Sequence, residues 1–330
     1  MKVSIIVPCR NEKNYVTNFI KSLTRQLGFT EFQVIIADGN SDDGTQILLN
    51  RIVTQYENIS FVNNEKKIVS SGLNLALKLC DGDVVVRMDM HTTYHVDYVE
   101  KCVDALLTSN RSVWCVGGAW RPKSNGSFLG RAIASAFTNR FMSGNARSRD
   151  VEYSGVVDTV YLGCWRREDL TVVGGFDESL VRNQDDELCL RIRRGYGKTI
   201  CQSRHIKSSY EPRSSLKKLF MQYYQYGFWK GEIVKKHGQF GAFRHWLFIA
   251  TPFLSLFLSL LFPVLFIWIS AIYIACMFSG AAFASSNESW MVKIISVIAG
   301  SIMHVSYFIG LCVSIFRLQR LIKRQYELSR

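Results

Sequence analysis

Near its start the chain contains the stretch Val3-Ser4-Ile5-Ile6-Val7-Pro8-Cys9-Arg10-Asn11-Glu12, an apolar run that ends abruptly in polar residues. About thirty residues later, Val34-Ile35-Ile36-Ala37 ends in the same way, in Asp38-Gly39-Asn40-Ser41-Asp42-Asp43-Gly44-Thr45. Short β-branched runs without polar alternation are typical of strands that are covered on both faces of a parallel sheet. Open α/β sheets bind ligands at the carboxyl ends of such strands. The two stretches therefore predict an α/β domain whose ligand edge carries acids.

The alternation of strand and helix patterns continues to about residue 120. The apolar runs predict strands near 3–8, 32–37, 59–62, 82–88 and 113–119, and the helical periodicity predicts helices near 13–26, 43–56, 70–80 and 95–109. Residues 121–155 are rich in Ser, Gly, Asn and Arg, with a short helix near 128–137, and a strand near 156–163 and a helix near 185–194 follow. This order predicts a doubly wound, mostly parallel sheet with one excursion.

The C-terminal part of the chain is much more apolar. Residues 246–283 contain no charged side chain, and residues 294–316 are nearly as apolar, so both are long enough for membrane helices. As one helix, 246–283 would extend about 57 Å, against a hydrocarbon core of about 30 Å. The segment is therefore expected to fold back, and the candidate break points are Pro252, Pro263 and Gly280.

Basic residues flank these apolar segments. The net charge is +13, and Lys and Arg concentrate in residues 204–244 and in the tail 317–330. Their position favours attraction to anionic lipid headgroups, and two full crossings would keep the basic tail in the cytoplasm, with three crossings as the alternative. No nucleic-acid-binding fold is visible, so binding to nucleic acid is not expected. The nine cysteines form no CxxC pair, which argues for reduced thiols and against zinc.

Two acidic motifs and one aromatic stretch are candidates for function. The fourth strand ends in Asp89-Met90-His91, which could hold a divalent metal on a diphosphate, although an Asp after a strand more often caps a helix or forms a turn. Residues 183–188, Asn-Gln-Asp-Asp-Glu-Leu, open a helix, so these acids either cap it or supply a general base. Residues 222–230, which are aromatic and basic, suit either interfacial anchoring or stacking against a sugar.

Five elements in this order resemble the family-2 glycosyltransferases of the GT-A fold. The resemblance covers roughly residues 1–230. The elements are residues 4–12, residues 37–45, Asp89-Met90-His91, Gly174-Gly175-Phe176-Asp177-Glu178 and Gln184-Asp185-Asp186-Glu187-Leu188. The version Arg87-Met88-Asp89-Met90-His91, followed by a membrane tail, is most similar to the succinoglycan-type exopolysaccharide glycosyltransferases.

The resemblance implies a donor site. Asp38 corresponds to the acid that contacts the nucleotide base, with Pro8 and Glu12 walling the same pocket. Ser71 and Gly72 lie where the chain passes the donor diphosphate. Asp89 matches the first acid of the family's Asp-x-Asp metal motif. His91 replaces the second acid, which favours Mn²⁺ or leaves Mg²⁺ with fewer protein ligands.

The resemblance also implies an acceptor side. Asp185 matches the family's catalytic base, Gln184 replaces the Glu that normally precedes it, and Asp186 follows it. Gln222 and Trp229 are similar to parts of the Gln-x-x-Arg-Trp motif of processive synthases, but the spacing differs and the Arg is missing. Processive polymerisation is therefore not expected.

The resulting hypothesis is a membrane-anchored, inverting glycosyltransferase. It would move a sugar from a nucleotide-diphosphate donor, such as a UDP-sugar, to a lipid-linked or polysaccharide acceptor. The expected division is a transferase domain at 1–212, a membrane-interface segment at 213–245, a membrane region at 246–316 and a basic tail at 317–330. Met1-Lys2 leads straight into a strand, so the catalytic domain is expected in the cytoplasm, at the inner cell membrane. The alternatives are a sugar nucleotidyltransferase and a non-catalytic membrane scaffold.

Overall fold

The structure is a computed structural model that describes residues 1–26, 32–144, 146–213, 215–238, 263–284 and 288–316. These residues form two compact units. The first unit comprises Met1–Arg121 and Asp150–Tyr210, and the second comprises Pro122–Arg149 and the helices that follow Glu211. Residues 122–149, which the sequence-based division placed in the transferase domain, therefore group with the C-terminal helices.

The strands and helices alternate along the first two hundred residues. In chain order they are β1 (Val3–Cys9), α1 (Lys13–Leu23), β2 (Phe32–Asp38), α2 (Thr45–Val53), β3 (Ile59–Asn63), α3 (Val69–Lys78), β4 (Val84–Arg87), β5 (Thr92–Tyr94), α4 (Tyr98–Leu107), β6 (Val113–Gly118), β7 (Trp120–Pro122), α5 (Phe128–Thr138), β8 (Gly155–Val156), β9 (Tyr161–Arg166), α6 (Arg167–Val172), α7 (Gln184–Gly195), β10 (Thr199–Gln202) and β11 (Ser208–Tyr210).

Eight of these strands form the main sheet of the first unit, in the order β3-β2-β1-β4-β9-β6-β10-β8. The pairs among β3, β2, β1 and β4 are parallel, while β9 is antiparallel to both β4 and β6. The predicted α/β fold with a mostly parallel sheet is confirmed. A second sheet, in the order β5-β11-β7, was not predicted.

Strand β1 explains why the sheet needs apolar residues on both faces. Val3, Ile5 and Val7 belong to the core cluster on one face, whereas Ile6 belongs to the cluster on the other. Successive side chains of a strand point to opposite faces, so a strand buried on both sides shows no polar alternation.

Pro8 is tolerated within this central strand because of where the pairing ends. The last β1–β4 pair is Ile6 with Arg87, and the Ile6 carbonyl accepts a hydrogen bond from the Met88 amide at 3.1 Å. The Pro8 nitrogen, two residues after Ile6, faces the same side of β1 as the Ile6 backbone does, towards β4. It lies beyond the last β1–β4 pair, so no N–H is needed there.

One predicted strand differs from the structure. Instead of a continuous strand over 156–163, β8 ends at Val156 and β9 begins at Tyr161. Inside β9, Leu162 and Gly163 have φ angles of 66° and 104°. A positive φ interrupts the regular strand conformation that the apolar pattern suggests.

Among its described residues, the second unit contains α5 and three later helices, α8 (Leu216–His237), α9 (Pro263–Ala284) and α10 (Trp290–Ile315). The backbones of α8 and α10 approach each other closely. A Cβ atom on Gly227 would lie 1.9 Å from the Tyr307 carbonyl oxygen, and one on Gly310 would lie 2.0 Å from the Tyr224 carbonyl oxygen. Small residues are what permit such close helix packing.

Within the described ranges, α10 is the one helix that is long and apolar enough to cross a membrane. Large apolar side chains stand exposed on it, Trp290 at 68% and Val305 at 54% among them. Of the predicted break points, Pro263 begins α9, Gly280 lies inside α9 without ending it, and Pro252 falls outside the described residues. The basic tail 317–330 also falls outside them.

Candidate active site

Asp89 lies just beyond β4 and is bound to the last residue of that strand. The Nε and Nη2 atoms of Arg87 donate to the Asp89 carboxylate over 3.2–3.3 Å. The Asp89 backbone is fixed as well, since its amide donates to the Tyr94 hydroxyl at 2.6 Å. Both side chains are buried, with exposed fractions of 4% for Arg87 and 8% for Asp89.

Asp185 binds the same guanidinium, although it lies 98 residues further along the chain. The Nη1 atom of Arg87 donates to Oδ1 of Asp185, in the first turn of α7. Asn183 precedes the helix in the left-handed conformation, with a φ of 60°, which Asn tolerates better than most residues. Burial raises the pKa of Asp185 to about 6, although the neighbouring Arg87 opposes this rise.

Glu12 and His91, which follow β1 and β4, lie in contact. The Nδ1 atom of His91 is 3.0 Å from Oε1 of Glu12, whose side chain is 7% exposed. The imidazole also has two aromatic neighbours, Tyr210 with ring centroids 5.8 Å apart and Tyr15 with ring centroids 6.3 Å apart. The structure therefore brings two of the predicted site residues together.

Asp38, the last residue of β2, is fully buried and shapes the loop that follows it. Its carboxylate accepts hydrogen bonds from the Ser41 amide at 3.0 Å, the Ser41 hydroxyl at 2.5 Å and the Gln46 side chain at 2.6 Å. A buried carboxylate needs such donors, because an unpaired one would be costly. Its predicted contact with a nucleotide base stays a prediction.

The loops after β1 and β2 are joined to each other. The Asn11 amide donates to the Ser41 hydroxyl at 2.8 Å, and the Glu12 amide donates to the Thr45 hydroxyl at 3.0 Å. Asn11 and Asn40 adopt left-handed backbone angles, with φ values of 56° and 57°. These bonds hold Glu12 and Asp38 in one connected structure at the edge where the two strands end.

Ser71 and Gly72 lie buried in the first turn of α3. The Ser71 hydroxyl donates to the Asn64 side chain at 2.7 Å, and a Cβ on Gly72 would lie 3.1 Å from the Ala37 side chain. Gly72 therefore allows α3 to pack closely on β2, while Ser71 joins the helix to the residue that follows β3. Their predicted place beside a diphosphate stays a prediction.

The predicted acceptor-side residues are divided between the two units. Gln184 is buried at the start of α7, and Asp186 follows Asp185 there. Gln222 and Trp229 lie on α8 in the second unit, where Gln222 donates to the Tyr226 hydroxyl at 3.1 Å and Trp229 packs edge-on against Phe228. The roles of these four residues stay predictions.

The donor set at Asp89 and His91 fits a divalent metal that also binds a substrate. Carboxylate and imidazole are both ligand types that Mn²⁺ accepts. An imidazole that ligates a metal usually donates its other N–H to a carboxylate, as His91 can to Glu12. Among the described residues, no group of three or more His, Cys, Asp or Glu side chains could hold a metal alone. Diphosphate oxygens and water would have to complete the coordination, as is usual for Mg²⁺.

Arg87 is the site residue for which the sequence reasoning assigned no role. A signal was present, since a cation that ends the buried strand Val84-Val85-Val86 must find an acidic partner. The hydroxyls of Ser41 and Thr45 were also missed. They follow strands as ordinary turn residues do, and only the folded loops show what they bind.

The sheet and the acids that follow its strands define a glycosyltransferase domain of the GT-A type. The chain belongs to glycosyl transferase family 2, whose sequence profile matches residues 4–169. It is therefore an enzyme of that family, as the sequence analysis predicted.

Two curated relatives extend the similarity beyond the family profile. The succinoglycan biosynthesis protein ExoA of Rhizobium meliloti (strain 1021) is 32% identical over 249 residues, which cover 74% of each chain. A dolichyl N-acetyl-alpha-D-glucosaminyl phosphate 3-beta-D-2,3-diacetamido-2,3-dideoxy-beta-D-glucuronosyltransferase of Methanococcus voltae is 27% identical over 285 residues, covering 82% of this chain and 85% of the relative.

Two solved structures share the fold at low sequence identity. The mannosyltransferase PcManGT from Pyrobaculum calidifontis, in complex with GDP-Man and Mn²⁺, superposes with a TM-score of 0.60 at 14% identity, covering 98% of this chain and 88% of that one. S. aureus TarS 1–349 in complex with UDP-GlcNAc gives a TM-score of 0.52 at 15% identity, covering 96% and 92%.

Proposed function

We propose that this enzyme transfers a sugar from a UDP-sugar to a hydroxyl of a growing polysaccharide or of a lipid-linked precursor, with inversion at the anomeric carbon. The observation that carries the proposal is the buried Arg87 that joins Asp89 and Asp185. This contact supports the proposal because it joins the acid that would bind the metal of the donor diphosphate to the acid that would activate the acceptor. The name of ExoA, which concerns succinoglycan, and the TarS complex with UDP-GlcNAc support this choice of acceptor and donor.

Asp185 is the general base in this proposal. As the acceptor oxygen attacks the anomeric carbon, its proton passes to the Asp185 carboxylate, and the bond from the anomeric carbon to the diphosphate oxygen breaks. Attack from the face opposite the leaving group inverts the configuration. The pKa of Asp185, raised by burial to about 6, leaves it ionised at neutral pH yet closer to the operating pH than an ordinary Asp.

Asp89 and His91 would hold the divalent cation, either Mn²⁺ or Mg²⁺. When bound, the cation supplies positive charge beside the departing diphosphate, where negative charge develops. The fold neighbour in complex with GDP-Man and Mn²⁺ supports this assignment. Glu12 would orient His91 from the side of Nδ1.

The loops after β1 and β2, with the first turn of α3, would form the nucleotide site. Pro8 and Glu12 would line one side, and Ser71 and Gly72 would border the diphosphate. The Asp38 oxygens already accept hydrogen bonds from Ser41 and Gln46. A contact between Asp38 and the nucleotide base would use Oδ1, which accepts one hydrogen bond, whereas Oδ2 accepts two.

A membrane anchor would explain the apolar C-terminal region. In this proposal α10 crosses the inner cell membrane, the transferase domain stays in the cytoplasm, and α8 with the rest of 213–245 lies at the interface. The exposed apolar side chains of α10 support this arrangement. The region 246–316 would contain two crossings in all, followed by the basic tail.

The test is a panel of nucleotide sugars incubated with the full-length protein, with nucleotide release as the measurement. The proposal expects release of UDP from one UDP-sugar, stimulated by Mn²⁺ or Mg²⁺ and by acceptor. Release of pyrophosphate would indicate a nucleotidyltransferase instead, and no release from any donor would refute the proposal. NMR of the product with a simple saccharide acceptor would test inversion, because a retained anomeric configuration contradicts it.

A further inference from the structure

Arg87 lies between two carboxylates that come from distant parts of the chain. Three of its nitrogen atoms are engaged, with Nε and Nη2 directed to Asp89 and Nη1 to Asp185. The arginine side chain is 4% exposed, whereas the Asp185 side chain is 24% exposed. One buried cation thus joins Asp89, the proposed metal ligand, to Asp185, the proposed base.

Arg87, Asp89 and Asp185 together carry more negative than positive charge. One guanidinium faces two carboxylates, so the three side chains carry a net charge of −1 when all are ionised. A buried charge that loses its only partner is strongly destabilising. If Asp185 were the only partner of Arg87, protonation of Asp185 would leave the guanidinium unpaired. Asp89 prevents this, because it binds the same guanidinium through other nitrogens.

We propose that Arg87 is a positioning residue for the reaction: it holds Asp185 through Oδ1, so that Oδ2 takes the acceptor proton, and Asp89 keeps Arg87 paired once that proton has arrived. This inference rests on the proposed function, in which Asp185 is the base. No additional reactant is needed, since the proton leaves the acceptor hydroxyl and the electron pair of the broken glycosidic bond leaves with the diphosphate.

Arginine is required for this role because of its shape. The planar guanidinium offers five N–H donors in a fixed fork, whereas a lysine ammonium is a compact charge on a flexible stem. Lysine at position 87 could pair with one acid but could not fix both. Arg87→Lys should therefore keep the positive charge in the buried group and lose the orientation of Asp185.

The expected effect falls on turnover rather than on donor binding. Small misplacements of a reacting group can reduce rates by about 10²-fold. Arg87→Lys should accordingly lower kcat for transfer by about 10²-fold, while the donor KM and the Kd of UDP, measured by calorimetry without acceptor, change by less than about threefold. A purely structural role would instead lower UDP affinity and thermal stability together.

A double-mutant cycle with Asp185→Asn gives the decisive readout. If Arg87 acts through Asp185, Arg87→Lys should cost little further activity in the Asp185→Asn background, because residues that act as a unit are not additive. Arg191→Lys is the matched control. Arg191 also pairs with an acid of α7, its Nε lying 2.6 Å from Oε1 of Glu187, but it binds the Val173 and Gly175 carbonyls rather than the site.

The outcomes separate the inference from the function on which it rests. If Arg87→Lys reduces activity equally in the wild-type and in the Asp185→Asn backgrounds, that result overturns the inference and leaves the base assignment intact. Wild-type kcat in Arg87→Lys overturns it as well. Wild-type transfer in Asp185→Asn alone overturns the base assignment. An additive loss for Arg191→Lys, beside a non-additive one for Arg87→Lys, supports the inference.

Discussion

The Nδ1 atom of His91 lies 3.0 Å from the Oε1 atom of Glu12, although the two residues follow different strands. An Nδ1–H that is donated to Glu12 leaves the lone pair on Nε2, the nitrogen that would ligate a metal. If His91 takes the place of a second metal-binding acid, as proposed, Glu12 is the carboxylate that would support it. This pairing makes the proposed metal site testable one residue at a time.

Asp89→Ala should abolish metal-stimulated turnover and weaken donor binding, because it removes the carboxylate from the proposed metal and from Arg87.

His91→Asp should retain activity and shift the preference from Mn²⁺ towards Mg²⁺, since a carboxylate is the harder ligand. Glu12→Gln should weaken Mn²⁺ binding by about 10-fold, as changes to the partner of a metal-ligating histidine typically do. Titration of donor hydrolysis with each metal measures all three, and normal activity in Asp89→Ala would contradict the assignment.

Asp185→Asn should lower transfer by about 10²–10⁴-fold, the usual contribution of a positioned general base, with donor affinity nearly unchanged. Asparagine keeps the shape and the capping ability of the side chain but cannot take up a proton. Asp186→Asn, the neighbouring control, should be milder. If the two variants exchange their behaviour, the base is Asp186.

The pH dependence of kcat/KM should show an acidic limb near pH 6. Burial raises the pKa of Asp185 in the free enzyme to about 6, and the base acts only when ionised, so kcat/KM should fall about 10-fold per pH unit below that value and level off above it. Initial rates of transfer between about pH 4.5 and pH 8 measure the limb. A rate that stays constant across this range would exclude Asp185 as the group that titrates.

Gly227→Ala should destabilise the second unit by about 1–3 kcal/mol, the usual cost of overpacking. Its Cβ atom would lie 1.9 Å from the Tyr307 carbonyl oxygen, so α8 and α10 would have to separate. Gly195→Ala is the control, because a Cβ there meets nothing within 4 Å. Thermal unfolding of the full-length protein in detergent compares them, and equal unfolding temperatures would refute the close packing.

The crossing number can be tested with a reporter that is active only outside the cytoplasm, fused after Arg330. Two crossings place the basic tail 317–330 in the cytoplasm, as the tendency of Lys and Arg to remain there requires. The fusion should therefore be inactive, and a matched fusion after Asn287 should be active. A strong signal after Arg330 would favour three crossings and would not affect the enzymatic assignment.

The sequence predicted those strands whose apolar pattern directly reflects their burial in the sheet. The run Val3–Val7 is buried on both faces, and so it shows an unbroken apolar pattern that identifies a strand of a parallel sheet. The break between β8 and β9 could not be read in this way. The positive φ angles at Leu162 and Gly163, which lie inside β9, could not be predicted either, because an apolar leucine gives no local sign of such a conformation.

The sequence singled out candidate residues of the site one by one but not the network that joins them. Strand ends pointed to Asp38 and Asp89, and the acidic start of a helix pointed to Asp185. Which donors hold them is decided by contacts between distant parts of the chain, such as Arg87 with Asp185, and no local pattern encodes these. For the same reason the sequence pattern indicated a short helix near 128–137, the later α5, but not the helix that it contacts.

Helix α5 has a practical consequence for dividing the polypeptide. It lies between β7 and β8 in the chain, yet it packs against α10 in the second unit, with Ala132, Ile133 and Ala136 fully buried. A protein truncated after residue 212 to improve solubility would keep α5 but lose α10, against which α5 packs. The apolar side chains of α5 would then be exposed, and such patches promote aggregation. Because residues of the second unit lie between residues of the first unit in the sequence, the two units must be transferred together in any recombination or cloning experiment.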